Sequence, residues 1–499
     1  MAVFLEKIVS KILSVLIIVF LIFIVLLFSS VSFVSKLILS FLLIIIFITS
    51  LYLLKGSLYF FIKNFLVVFF AILVFLFYLF LNTYFISKIP FESKTELLNF
   101  CFYTVTFFVF YTVLELKTLY NELIISFLIV QTFLFLSYIF GGEKLLNFFV
   151  YNPNIIAGYC LLSWLFSFLY LYKKEQRYQK IVFITFLVSS IFLIFLKSYS
   201  SLLIVVACLV LVFLKNKFLK WFVIFSLFLT VSMLNFNSVI DRIAWIVVGL
   251  KIWIKHFFFG VGIGNFRFYY PQYLVNTWLS PSIATIFVHN YFVQLASEIG
   301  VIGLSLFLFF VIYILKNSKN ELLSYPVYGI IVQNFVDYVL YIPQNSIIFF
   351  IFLSLLVKET KNKDEIVEKK IVWLYFFCII LLFIYCIVSF IKMDRIVVLS
   401  NSRQKENFYK SVSLDKTYWF GWKQIAVSLV NEGKLEEAEK IFMNVIKTNP
   451  TDAESYFFLS VINFKLGNSS EGYKFLKQML KVNSKIGYKY IRILKAELK

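Results

Sequence analysis

"ILSVLIIVFLIFIVLLF", Ile12 to Phe28, runs for seventeen residues without a charge. Runs of this kind recur as far as about Ile391, each near the ~20 apolar residues needed to cross a bilayer. The whole chain agrees with the stretch. Of its 499 residues 62% are hydrophobic, 65 are Phe and only 15% are charged, against roughly 25% charged in a soluble domain. Lys7 and Lys11 precede the first run, as they would in a signal peptide. The run is long for that role, however, and continues into "SSVSFVSK" (Ser29–Lys36) without a small-x-small cleavage site, so it reads as a retained anchor.

Outward from this run, the apolar pattern predicts about thirteen spans, near 12–28, 31–54, 58–81, 97–116, 122–140, 155–172, 181–196, 200–214, 219–236, 288–314, 323–341, 345–357 and 371–391. The pair 323–341 and 345–357 also fits a re-entrant element. The expected fold class is all-α: a polytopic membrane helical bundle of about 12–13 spans over residues 1–391, followed by a linker at 392–416 and a second helical unit at 417–499.

The formal charge of +21 would suit nucleic acid, but its distribution argues for none. Short basic clusters separate the spans: Lys173, Lys174, Arg177 and Lys180; Lys215, Lys217 and Lys220; Lys316 and Lys319; then Lys358 to Lys370. These are alternate loops, the positive-inside pattern. With an odd span count the N-terminus is cytoplasmic and the C-terminal unit periplasmic, the chain being a multi-pass protein of a bacterial inner membrane. The five cysteines all sit in apolar runs and form no C-x-x-C pair, so neither a zinc site nor a disulfide framework is indicated.

After Lys392 the apolar runs stop and a repeat begins. Trp422 aligns with Tyr456, Ile425 with Leu459, Ala426 with Ser460 and Ala438 with Gly472, all at a 34-residue period. With Phe442 and Pro450 these large and small positions resemble the tetratricopeptide pattern, although a generic helical hairpin would also carry them. Such stacks make concave surfaces that hold a protein partner.

The longest loop, about 237–288, falls on the outer face. From Arg242 through Ser297 it has no Asp or Glu, while Arg242, Lys251, Lys255 and Arg267 are cationic. Ile243, Ile246, Val247, Leu250 and Ile254 fall on one helical face, which suits a helix lying in the membrane interface. Lys251 and Lys255 can simply meet lipid head groups. Arg242 and Arg267, one beside Trp245 and the other beside the glycines, offer planar forks that match phosphate oxygens. "GVGIGNF", Gly260 to Phe266, lacks the strand of a dinucleotide-binding loop. Its glycines let the backbone turn back sharply and aim Arg267 toward Arg242.

The loop ends in "FVHNYFVQLASEIGVIG", Phe287 to Gly303, with one of only two histidines in the chain. A helix from Phe287 to Ile314 would put His289, Val293, Ala296, Gly300 and Gly303 on one face, with Asn290, Gln294, Ser297 and Glu298 on an adjacent polar arc. Glu298 would then lie about 13 Å deeper than His289. An ionisable group at that depth is either functional or a partnered brace. His256, in "KHFFFG", reads as a packing residue. Together the rim suggests arginines that neutralise a lipid-linked diphosphate and a neutral His289 that takes a proton from an incoming hydroxyl. Only scattered acids (Glu92, Glu96, Glu143) occur on the short outer loops, which favours a site without metal or cofactor.

These residues resemble the O-antigen ligase and O-antigen polymerase superfamily. The resemblance rests on Arg242-x-x-Trp245, the glycine turn, "HNYFVQLASEIGVIG", "VDYVLYIPQNSIIFFIFLSLL" with Asp337, Pro343 and Asn345, and "NPNIIAGY" from Asn152, over roughly residues 150–357. It implies a large periplasmic loop and metal-free, inverting transfer of a glycan from undecaprenyl diphosphate to an acceptor hydroxyl. In that reading His289 matches the essential histidine, and Arg242 and Arg267 match diphosphate-binding arginines. Asn290 and Trp245 would assist binding, with Glu298 and Asp337 in support. Two departures stand out. "LKSYSSLL" carries Lys197 where relatives often have an arginine element, and the proline usual before the glycine turn is missing. The acceptor is open: the lipid A core (a ligase), a second lipid-linked repeat (a polymerase), or a protein Ser or Thr. A non-catalytic envelope transporter or scaffold is the reading from another class.

Overall fold

The computed structural model describes residues 2–27, 33–54, 63–112, 116–149, 153–173, 178–219, 223, 226, 236–274, 285–359, 369–484 and 487. It is 86% helical, with no strand among the described residues. An all-helical answer follows from the solvent, because in hydrocarbon a helix alone satisfies every backbone group within one segment.

The first half comprises α1 (Ala2–Leu27), α2 (Phe33–Leu54), α3 (Lys63–Leu81, ending in a π-turn at Asn82–Ile86), α4 (Pro90–Thr112), α5 (Leu116–Phe149), α6 (Pro153–Tyr172), α7 (Gln179–Phe195) and α8 (Tyr199–Phe213). Then come α9 (Phe236–Lys255), the short α10 (Phe266–Tyr273), α11 (Tyr291–Asn317), α12 (Glu321–Gln333), α13 (Pro343–Glu359) and α14 (Lys369–Asn401). Among the described residues, six segments are long and apolar enough to cross a membrane: Leu5–Leu26, Phe33–Leu53, Phe65–Ile86, Leu119–Gly141, Tyr291–Asn317 and Val372–Asn401. Four shorter apolar helices, in α6, α7, α8 and α13, accompany them. The chain is thus a multi-pass membrane protein. Most of the span expected at 219–236 lies outside the described residues.

Two expected boundaries change. The span expected at 323–341 is not one helix: α12 stops at Gln333 and a 3-10 turn at Val339–Tyr341 leads into α13. Asn334 causes the stop, its Nδ2 donating back to Ile330 O at 2.7 Å while its Oδ1 accepts from Leu340 N at 2.9 Å. Pro343 then opens α13, where its missing N–H costs nothing. At the other end, α14 runs past 391 to Asn401, so the expected linker is itself helical and includes α15 (Lys405–Leu414).

Helix direction sorts the charges. His289 precedes α11 and Lys316 ends it, while Lys173 at the end of α6 pairs with Glu321 at the start of α12 at 2.8 Å. Lys173, Lys316 and Lys319 therefore gather at the end of the bundle opposite His289.

The C-terminal helices α16 (Trp419–Asn431), α17 (Leu435–Thr448), α18 (Ala453–Lys465) and α19 (Ser469–Val482) form two hairpins. Gly433 (φ 76°) and Gly467 (φ 81°) turn the two at matching positions. The small residues of the repeat are buried where helices nest: Ala426, Ser460, Ala438 and Gly472. Phe442 stacks on Phe458 of the next hairpin with centroids 5.0 Å apart.

Asp415 docks this unit on the membrane helices. Its buried carboxylate accepts from Lys94 of α4 at 2.9 Å, Lys392 of α14 at 3.1 Å and Thr417 Oγ1 at 2.6 Å. Burial pushes its pKa up, but Thr417 and Lys94 outweigh burial and bring it down to about 2. A depressed carboxylate stabilises the docked form above its ordinary value of 3.8, and that contribution fades as pH falls toward about 2. Asp415→Asn should cost about 1.5 kcal/mol of docking, roughly tenfold in the undocked fraction. Limited proteolysis between Asn401 and Trp419 reads this out.

Candidate functional site

The site is built where a broken helix meets the glycine turn. α11 is interrupted at Gly300, which has φ 66° and ψ −175°. Four backbone groups beside the break find partners in the segment that precedes the turn and in the turn itself. The carbonyls of Ser297 and Glu298 accept from Val261 N (3.0 Å) and Gly262 N (2.9 Å), and the N–H groups of Val301 and Ile302 donate to Phe257 O (2.9 Å) and Phe258 O (3.4 Å). Irregular backbone at membrane depth is tolerable only when protein satisfies it in this way. The approach requires glycine on both sides. A Cβ on Gly300 would stand 2.1 Å from Phe258 O, and one on Gly260 (φ 70°) would stand 2.3 Å from Glu298 O.

Side chains from three elements fix the turn. Glu298 accepts from Gly264 N at 2.9 Å, from Phe266 N at 3.3 Å and from Tyr341 Oη at 3.2 Å. It serves as the partnered brace, holding the start of α10. Asn82, from the π-turn after α3, donates to Phe259 O at 2.8 Å and accepts from Ile263 N at 2.9 Å. Ser93 of α4 donates to Ile263 O at 2.7 Å.

The helix expected from Phe287 begins only at Tyr291. Asn290 is its N-cap, with Oδ1 accepting from Val293 N at 3.0 Å and Nδ2 donating to Phe335 O at 2.9 Å. The cap keeps His289 out of the helix, at φ 56°, so it does not share a face with Val293 and Ala296 as expected. Asn290, expected among the binding residues, has both ends of its amide engaged in capping and anchoring.

Freed from the helix, His289 is gripped by aromatics. Its ring stacks on Trp245 of α9 at 4.4 Å and meets the edge of Tyr338 at 4.6 Å, while Tyr338 stacks on Phe287 at 4.2 Å. His289 Nδ1 faces Asp337 Oδ1 at 3.6 Å, beyond a direct hydrogen bond but within a small rotation of one. Asp337 is 1% exposed, its Oδ1 accepts from Tyr338 N at 2.9 Å, and its Oδ2 and His289 Nδ1 are buried without a hydrogen-bond partner.

Arg242 lies one turn before Trp245 on α9, half-buried, with Nε buried and without a hydrogen-bond partner. α9 buries Trp245, Val248 and Ile252 against the protein, while Ile243 and Ile254 of the expected apolar face stay exposed. Lys251 and Lys255 are exposed too. His256 contacts Tyr273 Oη at 3.4 Å, and burial followed by Lys255 lowers its pKa.

Arg267 departs from expectation. Its surroundings are not acid-free: Nη2 donates to Glu92 Oε2 of α4 at 2.6 Å. The acid comes from the first turn of a helix far away in sequence, which the acid-free stretch around Arg267 could not reveal. Lys197, at φ 50°, is exposed in the turn between α7 and α8. Gln333 Nε2 donates to nearby Ser201 Oγ at 2.8 Å, and Tyr291 N donates to Asn334 O at 2.9 Å. Lys197 is therefore at the His289 end, although no contact joins the two. Asn152 lies outside the described residues. Gly158 of the same element packs so closely that a Cβ would stand 2.2 Å from Val339.

Fold and site together define a polytopic helical membrane protein with a histidine–carboxylate pair and an arginine at one end of the bundle. Residues 155–308 match the family model described as O-Antigen ligase. The matched segment is narrower than the resemblance suggested. It contains Lys197, Arg242, Trp245, Arg267, His289, Asn290 and Glu298, but neither Asp337 nor Glu92. The match supports, in general terms, an O-antigen ligase- or polymerase-type activity on a lipid-linked glycan. No curated protein matches the chain.

Proposed function

We propose that the chain transfers a glycan from undecaprenyl diphosphate to an acceptor hydroxyl, with inversion at the sugar carbon and without a metal. The observation that carries this reading is His289, clamped by Trp245 and Tyr338 with Nδ1 turned to Asp337. With Nδ1–H directed at the carboxylate, Nε2 is the free base. The acceptor O–H gives its proton to Nε2 as its oxygen attacks the anomeric carbon. The bond from that carbon to the diphosphate oxygen breaks, and the electron pair leaves with the diphosphate. Arg242, with its buried Nε unpaired, compensates the leaving charge, and Arg267 and Lys197 add cations at the same end. Arg242→Lys should raise the donor KM about tenfold and leave kcat within about twofold, because lysine lacks the bidentate fork.

The basic end of the bundle and the N-terminus face the cytoplasm in this reading. The site and the tetratricopeptide-like hairpins face the periplasm. The lipid A core is the first acceptor. The docking of the hairpins beside the site, through Asp415, favours a protein acceptor as the second. The glycan profile of a strain lacking the chain tests the reading. Long chains retained on undecaprenyl diphosphate, with bare core at the surface, support a ligase. A single repeat on the core points to a polymerase, and an unchanged profile rejects glycan transfer to lipid.

A further inference from the structure

The carboxylate that reaches Arg267 is shared with the C-terminal hairpins. Glu92 sits in the first turn of α4, where the helix dipole favours an anion. Its Oε2 accepts from Arg267 Nη2 at 2.6 Å and its Oε1 accepts from Trp419 Nε1 of α16 at 3.2 Å. The two donors are linked a second way, because Phe268, next to Arg267, meets the Trp419 ring edge-on at 5.9 Å. Trp419 also carries Lys423 over its ring at 5.9 Å, and Lys423 is in turn held by Asp452 at 3.1 Å at the start of the second hairpin. A chain of contacts, with one cation–ring step between Lys423 and Trp419, therefore leads from the second hairpin to the arginine beside the glycine turn.

Glu92 takes one of the five N–H groups of Arg267, and the arginine side chain stays 45% exposed. A guanidinium held along one edge, with the remainder open, is oriented rather than consumed. We infer that Glu92 is a positioning residue that presents Arg267 to the diphosphate of the lipid-linked donor, and that Trp419 of the docked hairpins locks Glu92 for this task. The inference rests on the glycan-transfer reading above. It assigns the C-terminal unit a part in donor binding: undocking loosens Glu92, and Arg267 loses its aim.

The test uses full-length protein in lipid nanodiscs, with undecaprenyl diphosphate as the probe and thermal unfolding as a control. Glu92→Gln should weaken binding about five- to tenfold. Trp419→Phe, which keeps the ring packing and removes only the N–H, should weaken it about two- to threefold. The double variant should bind no more weakly than Glu92→Gln alone, because both act through one carboxylate. Unfolding temperatures of the unliganded proteins should stay together, which a merely structural role would not allow. Tighter binding by Glu92→Gln would mean that the carboxylate competes with the diphosphate and would overturn the inference, as would additive losses or none. Equal binding by wild type and Arg267→Ala is a different failure, since it removes the phosphate role of Arg267 and with it that part of the proposed function.

Discussion

His289→Ala should lower the rate of glycan transfer by about three orders of magnitude, within the roughly 10²–10⁴-fold that a positioned general base supplies. The donor should bind almost as before, because the proposed reading gives the diphosphate to the arginines and not to the histidine. Two features make the expectation specific. His289 Nδ1 has no hydrogen-bond partner and faces the Asp337 carboxylate at 3.6 Å, so in the proposed reading the base works only if Asp337 selects its tautomer. Asp337→Asn should therefore lose most of the same rate. The ring is also held between Trp245 and Tyr338, so Tyr338→Ala should fall in between, through loss of orientation. Steady-state kinetics in reconstituted membranes checks all three. Retained turnover in His289→Ala would assign the base elsewhere.

Gly300→Ala should fail at an earlier stage, yielding little folded protein. The backbone at Gly300 is left-handed in φ and extended in ψ (66°, −175°), a region essentially reserved for glycine. The new methyl would also meet Phe258 O at 2.1 Å. Backbone strain alone costs about 1–3 kcal/mol. Separating the turn from the break would strand buried N–H and C=O groups at roughly 1–3 kcal/mol each. Together these reach the total stability of an ordinary domain, about 5–15 kcal/mol. Fluorescence-detected size exclusion of a tagged chain reads the loss. A monodisperse Gly300→Ala at wild-type yield would mean that the turn and the broken helix do not depend on each other. Gly433→Ala is the control for backbone strain alone, because Gly433 is also left-handed (φ 76°) but a Cβ there meets nothing within 4 Å.

Much of the architecture was legible because lipid leaves few choices. Apolar runs such as Ile12–Leu27 become helices, and Lys173, Lys316 and Lys319 sort to one end. The 34-residue period was legible because nested helices demand small residues at fixed places, as Ala426 and Ser460 show. Within the site, His289 stood out by rarity and Arg242 and Trp245 by helical spacing. What stayed hidden was tertiary. Gly300 read as one position on the face of an unbroken helix, since nothing in "SEIGVIG" announces that Phe257 and Phe258 supply the missing hydrogen bonds. Asn82 comes from a segment with no motif, and Tyr338, although inside the quoted stretch beside Asp337, carried no signal of its contact with His289. Glu92 lies 175 residues from Arg267, so the acid-free composition of the loop misled about the arginine's surroundings. Glu298 left two roles open in sequence, and only its contacts with Gly264, Phe266 and Tyr341 favour the brace.

The most direct measurement is on the wild-type chain, purified and reconstituted with a glycan on undecaprenyl diphosphate and a candidate acceptor. Free undecaprenyl diphosphate and the anomeric configuration of the product would be followed together. The expected result is one undecaprenyl diphosphate released per glycan joined, with the configuration inverted and no added metal required. A folded, donor-binding preparation that releases nothing with any of the three acceptor classes, or a product of retained configuration, would contradict direct displacement assisted by His289.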